Sequence, residues 1–110
     1  MAHELGLKVV NVSAYSPESV AEFAVGMIVT VVRKYYKAYL RVREGNFLLD
    51  GLLGFNLKDK IVGIVGTGRI GLLTGRILAK GFGCYVIAYD PYPNDHTGEY
   101  IWHHLCRQLG

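Results

Sequence analysis

No run of apolar residues in this chain is long enough to cross a bilayer. The most apolar segment, VAEFAVGMIVTVV, is about thirteen residues long and carries Glu22, whereas a spanning helix takes roughly twenty. Strong charge of either sign is missing too: 12 Lys and Arg against 9 Asp and Glu leave +3. That excess is too small to point to nucleic acid, and the basic residues do not interleave with aromatics along one strand or loop. Cysteine is scarce, with 2 residues. No disulfide framework can be built from them, so a reducing compartment is the default. Cys84 sits in an apolar, strand-like run and reads as a buried thiol. The opening MAHELGLKVV lacks the basic-then-apolar plan of a secretory leader, and repeats and low-complexity segments are absent. The expectation is a soluble, cytoplasmic protein with neither a membrane nor a nucleic-acid partner. What is present is a globular composition, 51% hydrophobic with 14 glycines, over 110 residues. That length suits one small domain and not a two-domain enzyme.

Along the chain, Leu7 to Val12 has the β-branched density of a short strand. Ser16 is a good N-cap and Pro17 suits the first helical position. Apolar residues then recur at Val20, Phe23, Ala24, Met27, Ile28, Val31 and Tyr35, the spacing of one helical face. Arg33, Lys34, Lys37, Arg41 and Arg43 cluster at helical spacing and read as a solvated face near the C-terminal end, where positive charge favours the macrodipole. Gly45 and Asn46 supply a stop. One helix over 17–45 would bridge domains or pack on a partner subunit. The connector over 46–60 combines the turn formers Asp50, Gly51 and Gly54 with leucines and phenylalanines, so it is expected to pack on something.

A strand over 61–65, a glycine turn, a helix from Arg69 to about Lys80, a GFG break and a strand over 85–89 make a βαβ unit, which implies parallel pairing. At the strand-to-helix junction Gly66, Gly68 and Gly71 spell G-x-G-x-x-G. Gly66 permits the tight turn, Gly68 lets a pyrophosphate approach the backbone, and Gly71 lets the helix lie against the strand. Free N–H groups and the dipole at the helix start favour phosphate, with Arg69 and Ile70 in that first turn. The second strand ends in Asp90, the residue type and place expected to accept hydrogen bonds from a ribose diol. No Arg or Lys follows in DPYPND, so a 2′-phosphate would meet carboxylates and no cation. NAD is therefore favoured over NADP. Two plainer readings stay open: a tight turn that holds no ligand, and an Asp that only initiates a turn before Pro91.

Residues 3–94 resemble the D-isomer-specific 2-hydroxyacid dehydrogenases, and within them the D-lactate dehydrogenase branch. The blocks AYSPESVAEFAVG, REGNF, GFNLKDK, GTGRIG and DPYPN carry the resemblance. The fold it implies is α/β: a partial Rossmann-type NAD-binding domain (61–93) preceded by a long helix, with 1–16 as a remnant of a substrate domain. It also implies NADH-dependent reduction of a small 2-oxo acid to a 2-hydroxy acid, and a homodimer associating through the long helix and connector. On this resemblance Gly66, Gly68, Arg69, Ile70, Gly71 and Asp90 contact the coenzyme. Tyr15 falls near the substrate, unless it is an ordinary packed or surface tyrosine. Ser13 stands where the family has proline. The family's Arg, its His and the carboxylate that orients the His have no counterpart here, so no catalytic residue is assigned and the chain alone is expected to be inactive. The tail, 94–110, departs from the family pattern. His96, His103, His104 and Cys106 lack a recognised ligand spacing, so no metal is expected. A non-catalytic interaction module and a truncated gene product are the alternatives.

Overall fold

The computed structural model describes residues 3–12 and 15–92. Ser13 and the tail over 94–110, with its three histidines and Cys106, lie outside the described residues. The elements are α1 (Pro17–Val32), α2 (Tyr35–Arg43), β1 (Ile61–Val65), α3 (Arg69–Phe82) and β2 (Tyr85–Tyr89). The two strands pair in parallel, with Ile61 opposite Tyr85 and Val65 opposite Tyr89. The βαβ unit therefore forms with both strands at the expected residues. α3 runs slightly past its expected end: Gly81 and Phe82 remain helical, and Gly83, at φ 69°, closes the helix. Its N–H reaches the Ala79 carbonyl, and the Cys84 N–H reaches that of Leu78, a glycine-terminated helix end.

Alternation along β1 turns Val62 and Ile64 inward and leaves Ile61, Gly63 and Val65 exposed. α3 covers the inner face, and α1 packs on α3. The core at their junction is Val25, Leu78 and Cys84, bordered by Ile28, Leu57, Val62, Ile77 and Val86. Gly75 is buried on α3, and a Cβ there would stand 2.8 Å from the Ile64 side chain. Its bare backbone brings the helix down onto the sheet.

Three expectations need correction. Leu7 to Val12 forms no strand; it is exposed and unpaired, because a strand needs a ladder partner and the described residues offer none. The single helix over 17–45 is two helices. Arg33 is the C-cap of α1, and Lys34 beside it takes a left-handed conformation, φ 56°, as the N-cap of α2. The connector explains the break. Gly54 sits so close that a Cβ there would lie 2.3 Å from the Val32 carbonyl oxygen. The Lys34 Nζ donates to the Gly51 carbonyl at 3.0 Å and the Arg33 Nη1 to the Asn56 Oδ1 at 3.2 Å. The Arg41 Nη1 donates to the Leu48 carbonyl at 3.0 Å and to the Asp50 carbonyl. The basic cluster is thus only partly a solvated face, since three of its members hold the connector. The expectation that the connector packs on something is met in this way, although Leu48, Leu49 and Leu53 stay exposed.

The third correction concerns α1. It begins at Pro17 as expected, but Ser16, at φ 36°, makes no side-chain cap bond and its hydroxyl pairs with that of Ser19 at 2.6 Å. The face against α3 centres on the buried Ala21 and Val25 with the half-buried Ile28. Val20, Phe23, Met27 and Val31 stand exposed. The helix is apolar on two adjacent faces, and the small Ala21 allows close packing of the face that is used.

Replacing Gly54 by Ala drives a Cβ into the backbone of the α1–α2 break. We expect the variant to lose about 1–3 kcal/mol, read as a lowered urea midpoint.

Candidate functional site

The ladder between β1 and β2 does not stop at Val65. The Gly66 N–H donates to the Tyr89 carbonyl at 2.8 Å, carrying the pairing one step further and setting the start of the glycine turn beside Asp90. Gly66 then turns at φ 95°, a conformation that a side chain would strain. The turn delivers Thr67 onto Asp90. The Thr67 N–H reaches the Asp90 Oδ2 at 2.6 Å, and the Thr67 hydroxyl reaches the same oxygen at 2.7 Å. The Tyr92 N–H donates to the Asp90 Oδ1 at 2.8 Å. These donors, led by the Thr67 N–H, hold the carboxyl below the usual carboxylate range. Asp90 is therefore a fixed, ionised acceptor at the tip of β2.

The other glycines divide the work. A Cβ on Gly71 would lie 2.1 Å from the Gly66 carbonyl oxygen, so the first turn of α3 is seated against the glycine turn itself. A Cβ on Gly68 would meet nothing within 4 Å, so the backbone there faces open space. Gly68 is the N-cap of α3 and offers no side chain to cap it. The first helical bond runs from the Leu72 N–H to the Gly68 carbonyl at 2.9 Å. The N–H groups of Arg69, Ile70 and Gly71 thus begin the helix without an acceptor within it. An open approach over Gly68, converging N–H groups and a helix dipole are what an anion needs. A carboxylate one strand away suits a neutral hydroxyl donor. Together they fit a dinucleotide: the pyrophosphate over Gly68 and the first turn, a sugar hydroxyl at Asp90.

The structure therefore brings together Gly66, Gly68, Arg69, Ile70, Gly71 and Asp90 around one turn. Tyr15 is exposed ahead of α1 and takes no part in the hydrogen bonding around Asp90. Asp90 does initiate a turn, through Tyr92, but its other oxygen is spent on Thr67, which a turn alone does not require. Sequence reasoning missed Thr67 because the motif leaves that position free. The available signal was the register: Gly66 falls level with Asp90, so the turn at Gly66 brings the next side chain, a hydroxyl, within reach of that acid. Among the described residues, no group of three or more His, Cys, Asp or Glu gathers as a metal site, and no helix is long and apolar enough to cross a membrane.

Known proteins resemble this chain in sequence and in fold. Residues 25–106 match the profile of the D-isomer specific 2-hydroxyacid dehydrogenase, NAD binding domain. The chain is 57% identical over 103 residues to a D-lactate dehydrogenase of Curvularia clavata, covering 91% of this chain and 29% of that protein. Its fold superposes on the apo-structure of D-lactate dehydrogenase from Escherichia coli with a TM-score of 0.75 at 52% identity, covering 90% of this chain and 31% of that one. The D-lactate dehydrogenase of Aquifex aeolicus complexed with NAD and lactic acid gives 0.74 at 35% identity, over 90% and 30%. The chain spans about three-tenths of the length of the relatives it matches.

The depressed Asp90 pKa has a defined sign. Its stabilising effect is complete above the pKa of the unfolded carboxyl, about 3.9, and disappears as pH falls through the lower folded value. We expect Asp90→Asn, which cannot titrate, to flatten the acid limb of a stability-versus-pH curve followed by circular dichroism.

Proposed function

The chain belongs to the D-isomer specific 2-hydroxyacid dehydrogenases through their NAD binding domain, and on that premise we propose that it seats the adenosine diphosphate half of NAD at the glycine turn. The observation that carries this reading is the conjunction of Thr67-fixed Asp90 with the open backbone at Gly68. Gly66 and Gly71 set the bend, the first-turn N–H groups through Gly71 face the pyrophosphate, with Arg69 and Ile70 beside it, and Asp90 accepts from the adenosine sugar. Because Asp90 is ionised, a phosphate at the 2′ position is repelled, so the coenzyme is NAD and not NADP. When bound, NAD supplies the hydride acceptor or, reduced, the donor.

The parent reaction is reduction of a small 2-oxo acid to a D-2-hydroxy acid with NADH, D-lactate being the product suggested by the named relatives. The 110-residue chain itself performs the binding part alone. No residue here takes the role of the substrate-binding Arg, or of the His and its carboxylate partner, that the resemblance calls for. Without substrate positioning and proton transfer, several powers of ten in rate are lost. Tyr15 keeps its proposed place near the substrate, in the segment over 1–16 assigned to the substrate domain. The cytoplasm is the proposed location.

A second reading, a non-catalytic module that associates through its helices, is favoured by one observation. Val20, Phe23, Met27 and Val31 form a continuous exposed stripe on α1, and Tyr35, Tyr39 and Leu40 extend the apolar surface onto α2. Such a stripe suits a helix from a second copy, and the two readings are compatible.

A hundredfold excess of NAD or ADP over its Kd is expected to stabilise the chain by about 2.7 kcal/mol, seen as a higher melting temperature. Asp90→Ala should remove most of that rise, and NADH with pyruvate should show no turnover. A pure interaction module would show no rise with either ligand. On the surface side, Phe23→Asp is expected to lower the mass measured by light scattering from dimer to monomer while the circular dichroism spectrum is retained.

A further inference from the structure

We propose that the break between α1 and α2 is a conformational switch strapped shut by the connector: once the connector lifts, the two helices join into one straight helix from Pro17 to Arg43. The inference stands apart from the coenzyme reading.

The bend has no packing cause. α2 buries no residue, and among the described elements it meets only α1. The local sequence does not ask for a bend either. RKYYK holds no glycine and no proline, and its residues accept helical backbone. Yet Lys34 stands at φ 56°, a left-handed conformation that a Cβ disfavours.

The connector supplies what the helices lack. On the α1 side of the break, the Arg33 guanidinium donates to the Asn56 side chain. At the break itself, the Lys34 ammonium donates to the Gly51 carbonyl. On the α2 side, the Arg41 guanidinium donates to the Leu48 and Asp50 carbonyls. Gly54 lies directly over the Val32 carbonyl oxygen, where there is no room for a side chain. Every one of these bonds is exposed, so the strap is held by contacts that water can replace.

The bend also leaves backbone groups that a straight helix would pair. The first bonds of α2 run from the Lys37 and Ala38 N–H groups to the Lys34 carbonyl, both at 3.1 Å. The N–H groups of Tyr35 and Tyr36 therefore begin α2 without an acceptor within it. In a straight helix they would reach the carbonyls of Val31 and Val32. The second of these is the carbonyl that Gly54 covers. Straightening would relieve Lys34 and add both bonds. It would also run the exposed Val20, Phe23, Met27 and Val31 on into Tyr35, Tyr39 and Val42, one apolar stripe on a helix about 40 Å long.

The test is amide hydrogen exchange at Tyr35 and Tyr36 in the full chain, followed by nuclear magnetic resonance. In Gly54→Ala the added Cβ pushes the connector off the Val32 carbonyl. Both N–H groups should then exchange about tenfold more slowly than in the unaltered chain, with a stronger helical circular dichroism signal. A merely structural glycine gives the opposite sign, because its replacement loosens the joint. A second pair of variants isolates Lys34. Lys34→Ala and Lys34→Gly lose the same bond to Gly51, but only glycine takes the left-handed conformation without strain. Exchange should slow in Lys34→Ala and stay fast in Lys34→Gly. Unchanged or faster exchange in a folded Gly54→Ala overturns the inference, and so does equal exchange in the two Lys34 variants. If Gly54→Ala fails to fold, the Lys34 pair decides alone.

Discussion

The parallel register of two five-residue strands is the constraint from which the site follows. Because Val65 lies opposite Tyr89, the residues just beyond each strand are also level. One side then continues as a bare turn and the other as a carboxylate. Shift the pairing by one residue and Thr67 no longer meets Asp90, while Val62 and Ile64 trade places with the outward residues and leave the core. The same ladder therefore fixes the apolar packing and the polar contact. The helix that follows the turn is bound to this register as well, since Gly71 rests against the Gly66 carbonyl and Gly75 against Ile64.

Cover over that sheet is one-sided. α3 and α1 close the inner face, whereas Ile61, Val65, Ile87 and Tyr89 face solvent on the other. Parallel strands are ordinarily sheathed on both faces, and exposed apolar area of this kind favours contact with further protein. The radius of gyration, 19.1 Å, agrees with an open arrangement, because a closed domain of about 100 residues is nearer 13 Å. Coverage of about three-tenths of the related dehydrogenases gives the same picture in terms of chain length. What is buried is enough to hold the turn in place; what is exposed is apolar surface open to contact with further protein.

How far the sequence could be read depended on how local the determining interactions are. The strands at 61–65 and 85–89, the glycine turn, the start of α3 and the stop at Gly45 rest on β-branched runs and glycine offsets, which act within a few residues. The strand expected at Leu7 to Val12 has the right residues and no partner, and β structure cannot exist without one. The break at Arg33–Lys34 is invisible locally, since nothing in VVRKYYK compels it. It is imposed from 17 to 23 residues away by Gly51, Gly54 and Asn56. Which part of the apolar surface of α1 packs on α3 was not legible for a related reason: two adjacent faces of the helix are apolar. At the site, the glycines and Asp90 were readable because each has a distinct physical need. Thr67 was not, because its role arises only when two strands are laid side by side.

Cys84 gives the core a further property. Its Sγ contacts the Leu57 carbonyl at 3.3 Å, and the residue is 2% exposed at the meeting point of α3, β2 and the connector. Burial pushes its pKa up, so the reactive thiolate is scarce as well as shielded. An alkylating reagent can then reach this sulfur only after the surrounding layers part. The rate at which it is consumed becomes a clock for the opening of the interior, built into the molecule at the point where its layers meet.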